Sequence, residues 1–219
     1  MKRVIVSFIV VLPVCLTSCE PPASKPTITK KTDLFPEPKS HSVDWDSIRK
    51  ADDPVVEITT SKGVIKAVLY RDRAPITVEN FLRYTKDKHY DETIFHRVIA
   101  KFMIQGGGYE ANMEEKNTAY PAILNEARNG LPNERGTLAM ARTSDIDSAT
   151  AQFFINVKDN PFLDHSQKNF GYAVFGKVIE GMDVVDAIRF VQTGPYKGHE
   201  NVPNSPVSIK SIRVVESKE

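Results

Sequence analysis

After Asp53 the apolar residues come in short runs that alternate or cluster as strands do, and only two windows carry helical spacing. Most of the chain must therefore adopt a fold in which many short strands bury one another. Val56-Glu57-Ile58-Thr59 and Val64-Ile65-Lys66-Ala67-Val68-Leu69-Tyr70 alternate on either side of Ser61-Lys62-Gly63, which predicts a hairpin. Further β-type runs cover 94–99, 102–105, 137–141, 153–157 and 172–178, and a last alternating run covers 207–215. Pro75 stands where a missing N–H costs nothing, in the first turn of a helix continued by Val78, Phe81 and Leu82. Met182, Val185 and Ile188 after Gly181 predict a second helix. Short strands leave exposed edges unless the sheet closes, so the pattern fits a closed antiparallel barrel with two α-helices, although it does not set the strand count.

One stretch is odd for a core strand. Phe95-His96-Arg97-Val98-Ile99-Ala100-Lys101-Phe102-Met103-Ile104-Gln105-Gly106-Gly107-Gly108 sets an arginine and a glutamine among large apolar side chains. Burying an unpaired charge costs several kcal/mol or more, so Arg97 needs a partner or a task. Side chains two apart on a strand share a face, which predicts that Phe95, Arg97 and Ile99 go together, as do Met103 and Gln105 on the next segment. The plain alternative is that Arg97 pairs with a carboxylate elsewhere in the chain.

The stretch resembles the signature F-H-R-x-I-x-x-F-M-x-Q-G-G of the cyclophilin family of peptidyl-prolyl cis-trans isomerases, and every fixed position is filled. A second block resembles the family's other pocket wall in the expected order: Gly136-Thr137-Leu138-Ala139-Met140-Ala141-Arg142, then Ser148-Ala149-Thr150-Ala151-Gln152-Phe153-Phe154-Ile155-Asn156. The likeness runs from about Val55 to about Val215, takes in Tyr172-Ala173-Val174-Phe175-Gly176 and Gly181-Met182-Asp183-Val184-Val185, and is closest to the small bacterial periplasmic members. It implies a mostly β fold, an eight-stranded closed antiparallel barrel capped by two α-helices, with the active site on the outer face.

The activity so implied is rotation about X-Pro bonds, which partial double-bond character opposes with a barrier of about 18–20 kcal/mol. No covalent step is needed, only a hydrogen-bond donor for the prolyl nitrogen as it becomes pyramidal, set beside an apolar socket. Arg97 is the candidate donor, because a guanidinium stays charged and presents its N–H groups in a fixed fork, and Gln105 is the candidate that orients it. By resemblance the socket is formed by Phe102, Met103, Phe154 and Leu163, while Ala141, Arg142 and Gln152 line the path of the substrate backbone, Arg142 through its main chain. Tyr172 stands where many relatives have histidine, and Phe162 where many have tryptophan. Taken singly, each of these aromatics would read as core.

Other chemistries find little support. The five histidines show no metal-ligand spacing with one another or with cysteine, so no metal and no cofactor are expected. Gly106-Gly107-Gly108 lacks the lysine and Ser/Thr of a phosphate loop and reads as a turn, and no G-x-S-x-G elbow occurs. His96 reads as a packed residue rather than an acid or base. The runner-up function is a module that holds proline-rich segments in the same groove without turning them over. A weaker one is an interaction protein that uses a Lys-bearing tether.

That tether follows an export signal. Met1-Lys2-Arg3 precedes the apolar run Val4 to Leu12, which is too short to span a bilayer. Leu16-Thr17-Ser18-Cys19 resembles the lipobox of bacterial lipoproteins, so residues 1–18 are expected to be cleaved and Cys19 to carry lipid; an ordinary signal peptide with an incidental cysteine is the alternative. Loss of Lys2 and Arg3 leaves 27 basic against 28 acidic residues, a net charge of −1 that gives no support to nucleic-acid binding. Residues 19–53 are rich in Pro, Ser, Thr and Lys and read as a linker spanning about 30–35 Å if coiled. Within it, 43–49 reads equally as a short docked helix or as disorder, and the isomerase domain is expected over 54–217. The whole describes a monomer on the periplasmic side of the bacterial cell envelope, membrane-attached through Cys19. Glu20 favours the outer membrane, and the substrates would be proline-containing unfolded or folding polypeptides.

Overall fold

The computed structural model describes residues 43–215, so the readings of the signal, Cys19 and most of the linker lie outside the described residues. The described part holds α1 (Trp45–Ile48), β1 (Val55–Thr60), β2 (Gly63–Leu69), α2 (Pro75–Lys86), β3 (Thr93–Ile94), β4 (Arg97–Ile99), β5 (Met103–Gly106), β6 (Thr137–Met140), β7 (Phe153–Asn156), β8 (Val174–Glu180), α3 (Met182–Arg189), β9 (Thr193–Tyr196), β10 (His199–Pro203) and β11 (Ser208–Val215). The fold is mostly β, as the run lengths predict.

Nine strands form one antiparallel sheet in the order β3-β11-β1-β2-β8-β6-β7-β5-β4. Its two end strands, β3 and β4, are separated in the chain only by Phe95 and His96. Three residue steps span at most about 11 Å, so the sheet has to curl until its ends approach each other. No ladder joins them, however, and the expected closed eight-stranded barrel gives way to a strongly curled open sheet of nine strands. The run read as one strand over 94–99 is divided at this gap, where the Phe95 N–H donates to the Val207 carbonyl rather than to a neighbour in β4 or β5. A separate ribbon, β9 with β10, was not foreseen; its turn residues Lys197 and Gly198 both take positive φ, 48° and 81°.

Alternation sorts the side chains onto two faces. Val56, Ile58, Ile65, Ala67, Leu69, Val98, Ile104, Leu138, Phe153 and Ile155 point into the curl with Phe81, Tyr84 and Phe175 and form the main core. Phe95 joins them, completely buried, so it does not share a face with Arg97 and Ile99 as the period of two suggested. The strand break between β3 and β4 resets the alternation.

Helix α2 begins at Pro75 as expected, and Val78, Phe81 and Tyr84 are its buried side chains in the main core. Its first N–H groups lack a side-chain cap of their own. Glu126 supplies one from a distant loop, accepting from the Ile76 and Thr77 amides and from the Thr77 hydroxyl at 3.1, 2.8 and 2.7 Å. Of the two alternatives for 43–49, the structure shows the helix. Asp44 caps α1, and Trp45 stacks on Tyr70 at 5.6 Å, lies under the Lys177 ammonium at 4.1 Å and donates to Glu134 Oε2 at 2.8 Å.

Candidate active site

A second apolar cluster lies on the outer face of the sheet, made of Val68, Tyr70, Met103, Leu131, Ala139, Phe154, Leu163 and Val174, with Phe102, Ala141, Ile99, Tyr172 and Trp45 packed around it. Alternation puts Met103 and Phe154 there while their neighbours Ile104, Phe153 and Ile155 fill the main core. Register then aligns the polar residues with this cluster. Arg97 pairs with Gln105 across β4–β5, and Gln105 with Phe154 across β5–β7.

Arg97 is half-buried, and its Nη1 meets Gln105 Oε1 at 3.4 Å. That is long for a hydrogen bond. Gln105 Nε2 donates in turn to Gln152 Oε1 at 3.1 Å, and the Ala141 N–H donates to the Gln152 carbonyl at 3.0 Å. Among the described residues no carboxylate forms an ion pair with Arg97, so the alternative in which it serves only as a salt-bridge partner is not what the structure shows. The remaining N–H groups of its fork are available to an acceptor on a bound molecule.

The apolar side of the site is graded in depth. Met103, Phe154 and Leu163 are buried, Phe102 is half-buried, and Phe162 stands 60% exposed while stacking on Phe102 at 5.5 Å. Phe162 and Leu163 belong to a single 3-10 turn over Pro161–Leu163. Tyr172 meets Phe154 edge-on at 5.8 Å. The Arg142 side chain is itself engaged, which the sequence reading did not foresee: its guanidinium lies 4.5 Å over the Tyr172 ring, and Nε and Nη2 both donate to the Gly171 carbonyl at 3.2 Å. All eleven residues named from the sequence thus fall within one outer patch, around Arg97–Gln105–Gln152 on its polar side and Met103–Phe154–Leu163 on its apolar side. A cavity of about 990 Å³ between the 49–55 segment, α2 and β11 contains none of them.

Gly108 was read only as part of a turn, yet it also makes room for the site. A Cβ there would lie 2.4 Å from Gln152 Cγ, so only glycine leaves the Gln152 side chain where it reaches Gln105. Gly107, at φ 85° with the Tyr90 ring beneath it, supplies the turn. His96 packs on Tyr109 at 4.5 Å and is buried; burial first, then the charges of His199 and Arg97, draw its pKa down to about 4. A neutral, enclosed imidazole beside Arg97 is a packing group, as expected. Among the described residues no cluster of three or more His, Cys, Asp or Glu side chains is placed to hold a metal ion.

Residues 55–214 match the family profile described as "Cyclophilin type peptidyl-prolyl cis-trans isomerase/CLD". The chain is 61% identical over 160 residues to a peptidyl-prolyl cis-trans isomerase of Acinetobacter baylyi, covering 73% of this chain and 85% of that one. It is 53% identical over 165 residues to peptidyl-prolyl cis-trans isomerase B of Escherichia coli, covering 74% of this chain and all of the relative. The crystal structure of a cyclophilin-type isomerase from Cryptosporidium parvum in the presence of the dipeptide Ala-Pro superposes with a TM-score of 0.64 at 28% identity, over 74% of this chain and 99% of the other.

Proposed function

The chain belongs to the cyclophilin family of peptidyl-prolyl cis-trans isomerases, and from that premise we propose that Arg97 drives the rotation while Met103, Phe154 and Leu163 hold the proline ring, acting on folding polypeptides of the bacterial cell envelope. The observation that carries the reading is the Arg97–Gln105–Gln152 chain laid along the edge of the outer apolar cluster. As the X-Pro amide twists it loses resonance, and the prolyl nitrogen gains a lone pair that a guanidinium N–H can meet. The interaction strengthens only as the bond turns, so it lowers the barrier rather than merely binding the peptide. Gln105 aims the fork, and Gln152 holds Gln105. The apolar floor fixes the ring while Ala141 and Gln152 border the path of the peptide, whose carbonyl side swings. The Ala-Pro dipeptide present with the Cryptosporidium relative supports a proline-sized ligand.

NMR exchange spectroscopy on an Ala-Pro peptide tests the activity. Catalytic amounts of the chain should speed cis-trans exchange, whereas a holding module would need to be stoichiometric. The envelope role rests on Leu16-Thr17-Ser18-Cys19 behind an apolar export signal. Lipid chains supply about 0.8 kcal/mol per buried CH₂, and two or more attach a protein stably. Wild type should stay with membranes through a salt wash and Cys19→Ser should be released; equal solubility of the two rules out the anchor.

A further inference from the structure

Behind the site lie three buried asparagines with no place in the rotation step. Asn133, Asn156 and Asn160 are at most 1% exposed, and a buried amide is tolerated only with partners. Their partners are the segments that carry the socket. Asn160 Nδ2 donates to the Phe102 carbonyl at 3.0 Å and to Asn156 Oδ1 at 2.7 Å. Asn156 Nδ2 donates to Asn133 Oδ1 at 3.1 Å and to the Thr137 hydroxyl at 2.9 Å. Asn133 Nδ2 reaches the Tyr172 carbonyl at 3.3 Å and Asp164 Oδ1 at 3.0 Å, and the Asn133 amide reaches the same Oδ1 at 2.6 Å.

Main-chain bonds close the figure. The Asn160 N–H donates to the Asn133 carbonyl, the Leu163 N–H to the Asn160 carbonyl and the Tyr172 N–H to the Leu163 carbonyl, at 2.8–2.9 Å. Asn133 returns to Tyr172 through its side chain. Asn133, Asn160, Leu163 and Tyr172 therefore form one ring of hydrogen bonds, and Phe102 hangs from it through Asn160. Leu163 and Tyr172 lie on a 3-10 turn and an irregular segment that no strand ladder holds in register, while Phe102 sits in the β4–β5 turn, where its N–H donates to the Ile99 carbonyl and its own carbonyl also accepts from the Val157 N–H. Asn160 Oδ1 is the one buried side-chain atom of these asparagines without a partner among the described residues; the other bonds close a connected buried network, a frame that ties the three segments together.

We propose that Asn133, Asn156 and Asn160, with Asp164, are positioning residues that set the spacing of the proline socket and so determine how tightly the ring is held. The proposal rests on Phe102, Leu163 and Tyr172 lining the socket. Because these walls touch the proline in ground and transition states alike, loosening the frame weakens binding much more than it slows rotation of bound peptide, the opposite of losing Arg97.

The test compares the full-length wild type with Asn160→Ala, Asp164→Ala and Asp164→Asn, measuring Ala-Pro peptide affinity by titration and exchange rate at saturation by NMR. Asn160→Ala and Asp164→Ala should raise the dissociation constant about tenfold, since each strands a buried partner, with the saturated rate within about twofold. Asp164→Asn keeps an oxygen for both Asn133 donors and should recover most of the affinity lost in Asp164→Ala. Asp164 is partly exposed, so its variants decide the matter even if Asn160→Ala fails to fold. Folded Asp164→Ala with unchanged affinity, whatever its melting temperature, overturns the proposal. A wild type that neither binds nor turns over the peptide overturns instead the function it rests on.

Discussion

Arg97 and Gln105 face each other directly across the β4–β5 ladder, and Arg97 Nη1 stands 3.4 Å from Gln105 Oε1. The pair belongs to a ladder at the open edge of a curled sheet, so the guanidinium has apolar floor on one side and solvent on the other. That placement separates two kinds of defect.

Arg97→Ala removes a donor whose pull grows as the amide twists, and turnover should drop by about 10²–10³ while peptide affinity changes little. Arg97→Lys should rescue poorly, because an ammonium lacks the fork that Gln105 aims. Phe154→Ala takes away contact present throughout and should weaken binding as well as catalysis. Near-normal exchange by folded Arg97→Ala would sink the donor mechanism.

Phe162, stacked on Phe102 and 60% exposed, cannot donate the hydrogen bond that cyclosporin takes from the tryptophan of many relatives. Phe162→Trp should tighten cyclosporin inhibition by about 2–10-fold, the worth of one net hydrogen bond. Unchanged inhibition constants would remove Phe162 from the groove.

His96 makes stability depend on acid. In the unfolded chain the imidazole takes a proton near its ordinary pKa of 6.5, while in the fold it stays neutral down to about 4. The unfolded state thus binds the proton first, so the contribution is full above pH 6.5 and is lost as pH falls toward 4, by on the order of 2–3 kcal/mol. Urea titrations from pH 7 to 4 should show His96→Leu losing less stability than wild type across that window. Parallel pH profiles would contradict the burial argument.

Trp45 gives the segment before the family-matched region a hold on the domain through Tyr70, Lys177 and Glu134. Trp45→Ala should lower unfolding free energy by about 2 kcal/mol, less than a fully buried tryptophan because the ring is half-exposed, with exchange rate nearly unchanged. An unshifted denaturant midpoint would show that α1 adds nothing to the fold.

Much of the site could be read from residue order because its logic is local. A period of two assigns Met103 and Gln105 to one face, Pro75 starts α2, Ser61-Lys62-Gly63 turns the first hairpin, and the motif blocks single out Arg97, Gln152 and Phe154. Period also misled once, at Phe95, where the gap between β3 and β4 reverses the alternation and sends the ring inward. The open curl of nine strands was likewise beyond any window, since pairing between β11 and β3, or β7 and β5, depends on segments far apart in the chain.

The sequence by itself singled out the residues proposed to line the site and, Phe95 apart, the faces of the strand residues among and around them, because side-chain chemistry and strand period act over a few residues. Only the tertiary structure decided what holds them there. Asn133 finds Tyr172 39 positions away, Asn160 finds Phe102 58 away, and Trp45 finds Glu134 89 away. For the asparagines those partners are chosen by burial, which forces each enclosed amide N–H to an acceptor wherever the folded chain happens to bring one.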